Sequence, residues 1–219
     1  MAGDGKSGLL RPVQDGQDWR NTAIIGGPLE GDATLAMGYL EAGDILVEHW
    51  KSGRRYDGLA VPILANYRHG IELALKDAIR DTAACLRDDG WDEPELLPDA
   101  VNDELSKTHS IGRLTTTLSD YLDRLRLRPE DHLPAETLEV LGSLHLLDES
   151  GQALRYSKVK TGKGKQAKLI RARPDERYFD LVGVAEVLRD AATMVLYGVS
   201  GVLDQYAEWQ RYMREEAGY

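Results

Sequence analysis

Five histidines and a scatter of arginines are the residues of this 219-residue chain best suited to moving protons at neutral pH and to neutralising phosphate oxygens. His69, Glu72, Lys76 and Arg80 recur at three- and four-residue steps, so a helix would place them on one polar face with Arg68 beside them. Glu72 preceding Lys76 by four residues is the favourable orientation for an ion pair. Such a face has two readings: an ion-paired junction between helices, or a ligand or polynucleotide site. His109 opens a later segment and would reach the same face if the two segments pack antiparallel across a loop, either as a hydrogen-bonded anchor or as an acid–base group. His69 and His109, with Arg68 or Arg113 as the cation, are therefore the candidates for acid–base work.

A second group is electrostatic. The chain carries a net charge of −10, yet KVKTGKGKQAKLIRAR concentrates Lys158, Lys160, Lys163, Lys165, Lys168, Arg171 and Arg173. The plain reading is a solvated loop whose charge offsets an acidic body. The functional reading is an arm that reaches phosphates or an acidic partner. Its glycines argue against sequence-specific readout. Other signals point nowhere. The histidines lack a metal-ligand spacing such as HExxH, so no metal and no cofactor is expected. The single Cys85 reads as a small core residue. GDGKS near the start lacks a preceding strand and the first glycine of a phosphate-binding loop. The tryptophans Trp19, Trp50, Trp91 and Trp209 are too dispersed to predict a stacking platform, and read as packing residues or interface anchors.

The elements that must position these groups are mostly helical. Residues 1–31, rich in Gly, Asp and Pro, predict a mobile arm with one docked piece around Trp19 to Ile25. A first helix spans about 32–51 with Leu35, Tyr39, Ala42, Ile45 and Leu46 as its apolar stripe. A second carries Ile63, Tyr67, Ile71, Leu75 and Ala78, with Pro62 in its first turn. DDGWDEPELLPD reads as a loop. A third helix, capped by Thr108 or Ser110, buries Ile111, Leu114, Leu118, Leu122 and Leu125. A short fourth carries Leu138, Leu141 and Leu144 or Leu146, and ends before Gly151. A basic β-hairpin is expected at about 153–174. A long carboxy-terminal helix follows, with Leu181, Val184, Leu188, Ala191, Val195, Val199 and Val202 on one face.

The order YRHGIELALKDAI, THSIGRLTTTL and LRYSKV before a long last helix resembles the layout of HEPN domains, whose helices read like HAQQAAEKALKALL, THDLRRL and ARYP. The corresponding positions are His69, Glu72 and Lys76, then Thr108, His109 and Leu114, then Arg155 and Tyr156, over roughly residues 32 to 210. The resemblance implies an all-α bundle that often dimerises and, in many members, cleaves RNA or binds nucleotides. Ribonuclease members carry Arg, four to six residues, then His on one helix. Here Arg126 and His132 fit the count, but Pro129 lies between them and Leu127 replaces the usual polar residue.

The length suits one enlarged domain, read as an all-α HEPN-like bundle of about five helices over 32–219. No apolar stretch predicts a membrane span, and the amino terminus has no apolar core behind a basic start, so a soluble, cytoplasmic protein is expected. A homodimer through the long apolar helices is expected from the resemblance and from Gly198 and Gly201, which would let another helix approach. Function divides into an RNA- or nucleotide-associated protein in a toxin, stress or phage-defence setting, an active endoribonuclease, and a structural or regulatory subunit that binds a protein partner.

Overall fold

The computed structural model describes residues 15–16, 18–53, 56–162 and 167–216. The chain divides into two units, Met1–Gly31 and Asp32–Tyr219. In the first, the stretch expected to dock holds one 3₁₀ turn, Trp19–Asn21, capped by Asp18 and without a buried side chain. The GDGKS segment lies outside the described residues.

The second unit is all-α apart from one hairpin. Its elements are α1 (Asp32–Lys51), α2 (Ala60–Asp88), α3 (Pro98–Lys107), α4 (Ile111–Arg124), α5 (Ala135–Leu147), β1 (Lys158–Thr161), β2 (Lys168–Arg171), α6 (Leu181–Thr193) and α7 (Ser200–Glu216). A π-helical segment, Met194–Val199, joins α6 to α7, so the last helix runs unbroken from Leu181 to Glu216. No helix among the described residues is long and apolar enough to cross a membrane.

α2 is the axis of the bundle and packs against α1, α3, α4, α6, the π segment and α7. Ile63, Tyr67, Ile71, Leu75 and Ala78 are all buried, as their spacing predicts. The other side of α2 is buried too, from Gly70 through Lys76 without a break, so its charged residues had to find partners inside the protein. α4 buries Ile111, Leu114, Leu118, Leu122 and Leu125. Each such side chain contributes about 1.5–3 kcal/mol, so the stripe, more than the cap, fixes this helix. Ser110 is the cap, accepting a hydrogen bond from Arg113 N.

Four expectations are corrected. α1 turns Ala36, Leu40, Gly43 and Val47 inward, while Leu35, Tyr39 and Ile45 are exposed. The helix is apolar on two adjacent sides, and the buried one is chosen by small residues: a Cβ on Gly43 would lie 3.1 Å from the Tyr67 ring, and one on Gly70 would lie 2.9 Å from Leu40. The bundle also has one more helix than expected, α3, which begins at Pro98, inside the segment DDGWDEPELLPD read as a loop. Proline suits the first helical position, and Val101 and Leu105, four residues apart, supply the buried contact. In α5, Leu141 and Leu144 are buried whereas Leu138 and Leu146 are exposed.

The carboxy-terminal stripe holds as far as Val199, with Val184 only partly buried, and then passes to Leu203 instead of Val202. The wider π turn keeps Val195, Val199 and Leu203, at four-residue steps, on the buried side. In the hairpin, Lys158 pairs with Arg171, Val159 with Ile170, Lys160 with Leu169 and Thr161 with Lys168.

Candidate functional site

Arg68, Glu72, Lys76 and Asp148 form a buried ionic cluster at the middle of α2. Arg68 and Glu72 are 2% and 1% exposed, so each charge needs a compensating one. Arg68 donates from Nη1 to Glu72 Oε2 (2.9 Å) and from Nη2 to the backbone oxygen of His109 (2.6 Å), with that of Asp148 at 3.4 Å. Its Nε lies 3.3 Å from Asp148 Oδ2, close enough for charge attraction but not aligned as a hydrogen bond. Lys76 donates from Nζ to Glu72 Oε1 (2.9 Å). Asp148 in turn accepts from the backbone N–H groups of Ala153 (2.8 Å) and Leu154 (3.2 Å). Two cations thus face two anions, and one guanidinium ties α2 to the start of α4 and the end of α5.

Gly151 closes the turn over this cluster. Its φ is +75°, and a Cβ there would stand 3.0 Å from Arg68 Nη2 and 3.2 Å from His109 Cβ. Only glycine takes this conformation at such close approach without strain.

Glu72 also faces outward chemistry. His109 Nδ1 lies 2.8 Å from Glu72 Oε1, and about half of the His109 side chain is exposed. Burial tends to push the Glu72 carboxyl up, but hydrogen bonds from His109, Lys76 and Arg68 and the charge of Lys76 bring it down to about 2. An ionised carboxylate only accepts, so His109 Nδ1 must be the donor, and its Nε2 is left for solvent or a ligand. His69 sits nearby in charge terms. Burial lowers its pKa, and the charges of Arg155, Arg68 and Lys76 push the same way against the pull of Glu72. Arg155 Nη2 lies 3.4 Å from His69 Nδ1, and the Tyr39 ring meets the imidazole edge-on at 4.3 Å between centroids. The two histidines therefore border one buried carboxylate, one as a held donor and one whose charged form is disfavoured.

Other predicted residues lie apart. His132 Nδ1 is 3.2 Å from Asp123 Oδ1. Arg126 takes a left-handed backbone (φ 54°) just past α4, and its charge acts on Tyr206. No contact joins the two among the described residues, in keeping with the proline between them. Arg113 pairs with Glu104, and Arg80 with Asp32 at 2.7 Å. Tyr156 is exposed, and its backbone oxygen accepts from Arg173 (3.4 Å), which also binds the Ala153 backbone oxygen. Lys158, Lys160, Lys168 and Arg171 are exposed on the hairpin strands, whereas Lys163 and Lys165 lie outside the described residues. Asp148, Tyr39 and Gly151 complete the cluster without having been predicted; a glycine expected to end a helix was the only signal for the last.

Among the described residues no three His, Cys, Asp or Glu side chains are grouped to hold a metal ion. Cys85 is buried, and burial together with Asp81, Asp88, Asp89 and Asp204 pushes its thiol up to about 11. Compared with protein-family models, with curated proteins and with solved structures, the chain matches none of them.

Proposed function

We propose that this chain is a HEPN-like protein that binds RNA or nucleotide phosphates on a surface formed by the basic hairpin and the adjoining His69–His109 face. One observation carries the reading. Paired residues of a two-stranded sheet share a face, so Lys158 stands directly opposite Arg171 with Lys160 on the same side. Like charges opposite each other destabilise a sheet unless an anion lies between them. None of the three has an ion-pair partner among the described residues, in a chain with ten more acidic than basic side chains. Arg155, at the root of the hairpin, reaches His69, which joins the two parts of the surface. In a shift assay with labelled RNA, replacing Lys158, Lys160, Lys168 and Arg171 by Ala should abolish binding at moderate salt. Unchanged binding by that variant would refute the reading.

The His109–Glu72 contact favours a second reading, cleavage. His109 Nε2 would take the proton of a ribose 2′-hydroxyl as its oxygen attacks the phosphate, the departing 5′-oxygen would take a proton from water as its bond to phosphorus breaks, and Arg155 would face the phosphate charge. Incubation of labelled RNA in EDTA beside His69→Ala, His109→Ala and His132→Ala variants tests it. Cleavage lost in His109→Ala supports this reading, and cleavage lost only in His132→Ala contradicts it. A homodimer would have the exposed apolar side of α1 available to it, with Leu35 and Ile45, and the open surface at Gly201.

A further inference from the structure

Strand β2 runs directly into an irregular strap, residues 172–180, that arches over an open cavity of about 1260 Å³. The floor is apolar, built by Trp50, Val61, Leu64, Leu147, Leu154 and Val184 from the ends of α1 and α5, the start of α2, the turn after α5 and the start of α6. Pockets for drug-sized ligands are roughly 300–1,000 Å³, so there is room for a whole nucleotide. The strap carries two aromatic residues that the fold does not cover. Tyr178 is 94% exposed, and Phe179, the chain's one phenylalanine, is 47% exposed. Arg177 beside them has no ion pair among the described residues.

We propose that this cavity takes an unstacked nucleobase with its ribose, while the phosphates stay outside along β2. This rests on the reading of the hairpin as a phosphate-binding arm and gives that arm its substrate class: single-stranded RNA or free nucleotides in preference to duplex. Charge sorts the two ends of the ligand. Asp57, Asp175 and Glu176 outnumber Arg173 and Arg177 in the lining, and accept hydrogen bonds from base amino groups and ribose hydroxyls. Lys168 and Arg171, exposed on the strand that leads into the strap, draw phosphate to the outside. Exposed aromatic faces beside a basic strand are the arrangement by which single strands are held without sequence preference. The same charges without a base site would favour the duplex, whose charge density is higher.

Fluorescence anisotropy of a labelled single-stranded oligoribonucleotide, compared with its duplex and with inorganic polyphosphate as competitor, tests this on the full chain. The single strand should bind about tenfold tighter than the duplex, and the double variant Tyr178→Ala/Phe179→Ala should lose that factor while competition by polyphosphate stays the same. Both side chains are exposed, so an unchanged melting temperature should accompany the loss. Displacement by a mononucleotide would assign the cavity to free nucleotides, and its failure to displace would assign it to RNA. Equal affinity for single strand and duplex, or wild-type binding by the double variant, overturns the base site. If polyphosphate still competes and the hairpin variant still fails, the phosphate-binding arm survives that result; if no polymer binds at all, both fall.

Discussion

Glu72 is at once almost fully buried and ionised, a combination that exists only because Arg68, Lys76 and His109 all donate to it. Removing its charge leaves two cations facing Asp148 alone, and Glu72→Gln should therefore destabilise the protein by about 3–5 kcal/mol in urea unfolding. The sign of the pH effect follows from its lowered pKa. The contribution of Glu72 is complete above about 4.5, its unfolded value, and fades as pH falls toward about 2; a shift of this size amounts to about 3 kcal/mol. The acid limb of the stability curve should flatten in Glu72→Gln, and a limb identical to the wild type would show that another group governs it. Gly151→Ala should cost about 1–3 kcal/mol, because it adds a Cβ against Arg68 in a left-handed backbone. Of this cluster the sequence shows the Glu72–Lys76 spacing and an approach by His109. Asp148 is invisible there, since its partner Arg68 stands 80 residues earlier and only tertiary packing joins them.

At the scale of the helices, the close approach of α1 to α2 rests on Gly43 and Gly70. Gly70→Ala would push against Leu40 and the Ala36 backbone oxygen, and a loss of about 1–3 kcal/mol is expected. Gly38 is the contrast: it is exposed on the same helix with open space around it, so Gly38→Ala should stabilise by about 0.5–1 kcal/mol. Thermal melts of both variants decide whether the interface or helix propensity governs. The α1 stripe was misread for the same reason. Periodicity finds apolar sides, and α1 has two; which one is buried depends on the small residues that let α2 come near, and these have little apolar weight. α3 was missed because Pro94, Pro98 and the acids around them look like loop punctuation until Pro98 is placed at a helix start. Where α2 meets α7, burial and the charges of Asp77 and Asp204 raise the Asp81 carboxyl to about 6. The folded state thus favours its protonated form, and ionisation weakens the fold as pH rises from about 4 to above 6. Asp81→Asn should raise the melting temperature at pH 8, with the gain shrinking at pH 4 and in high salt, because the side chain is only partly desolvated and salt screens Asp77 and Asp204.

For the whole molecule, the charge balance sets the problem. A chain of net charge −10 repels polyanions at long range, and only a concentrated basic element overcomes that. The hairpin was legible because charge runs and Gly-Lys-Gly turns are local signals. The aromatic strap beside it was not, because Trp50 and Phe179 are more than a hundred residues apart and only the fold brings them to one cavity. The most direct test of phosphate binding by the hairpin is the salt dependence of RNA affinity for the wild type and the Lys158/Lys160/Lys168/Arg171→Ala variant. With about four phosphate contacts on a single strand, the log–log slope should be roughly −3 for the wild type and close to zero for the variant. A wild-type affinity that does not change with salt, or a variant that keeps the full slope, would contradict the account.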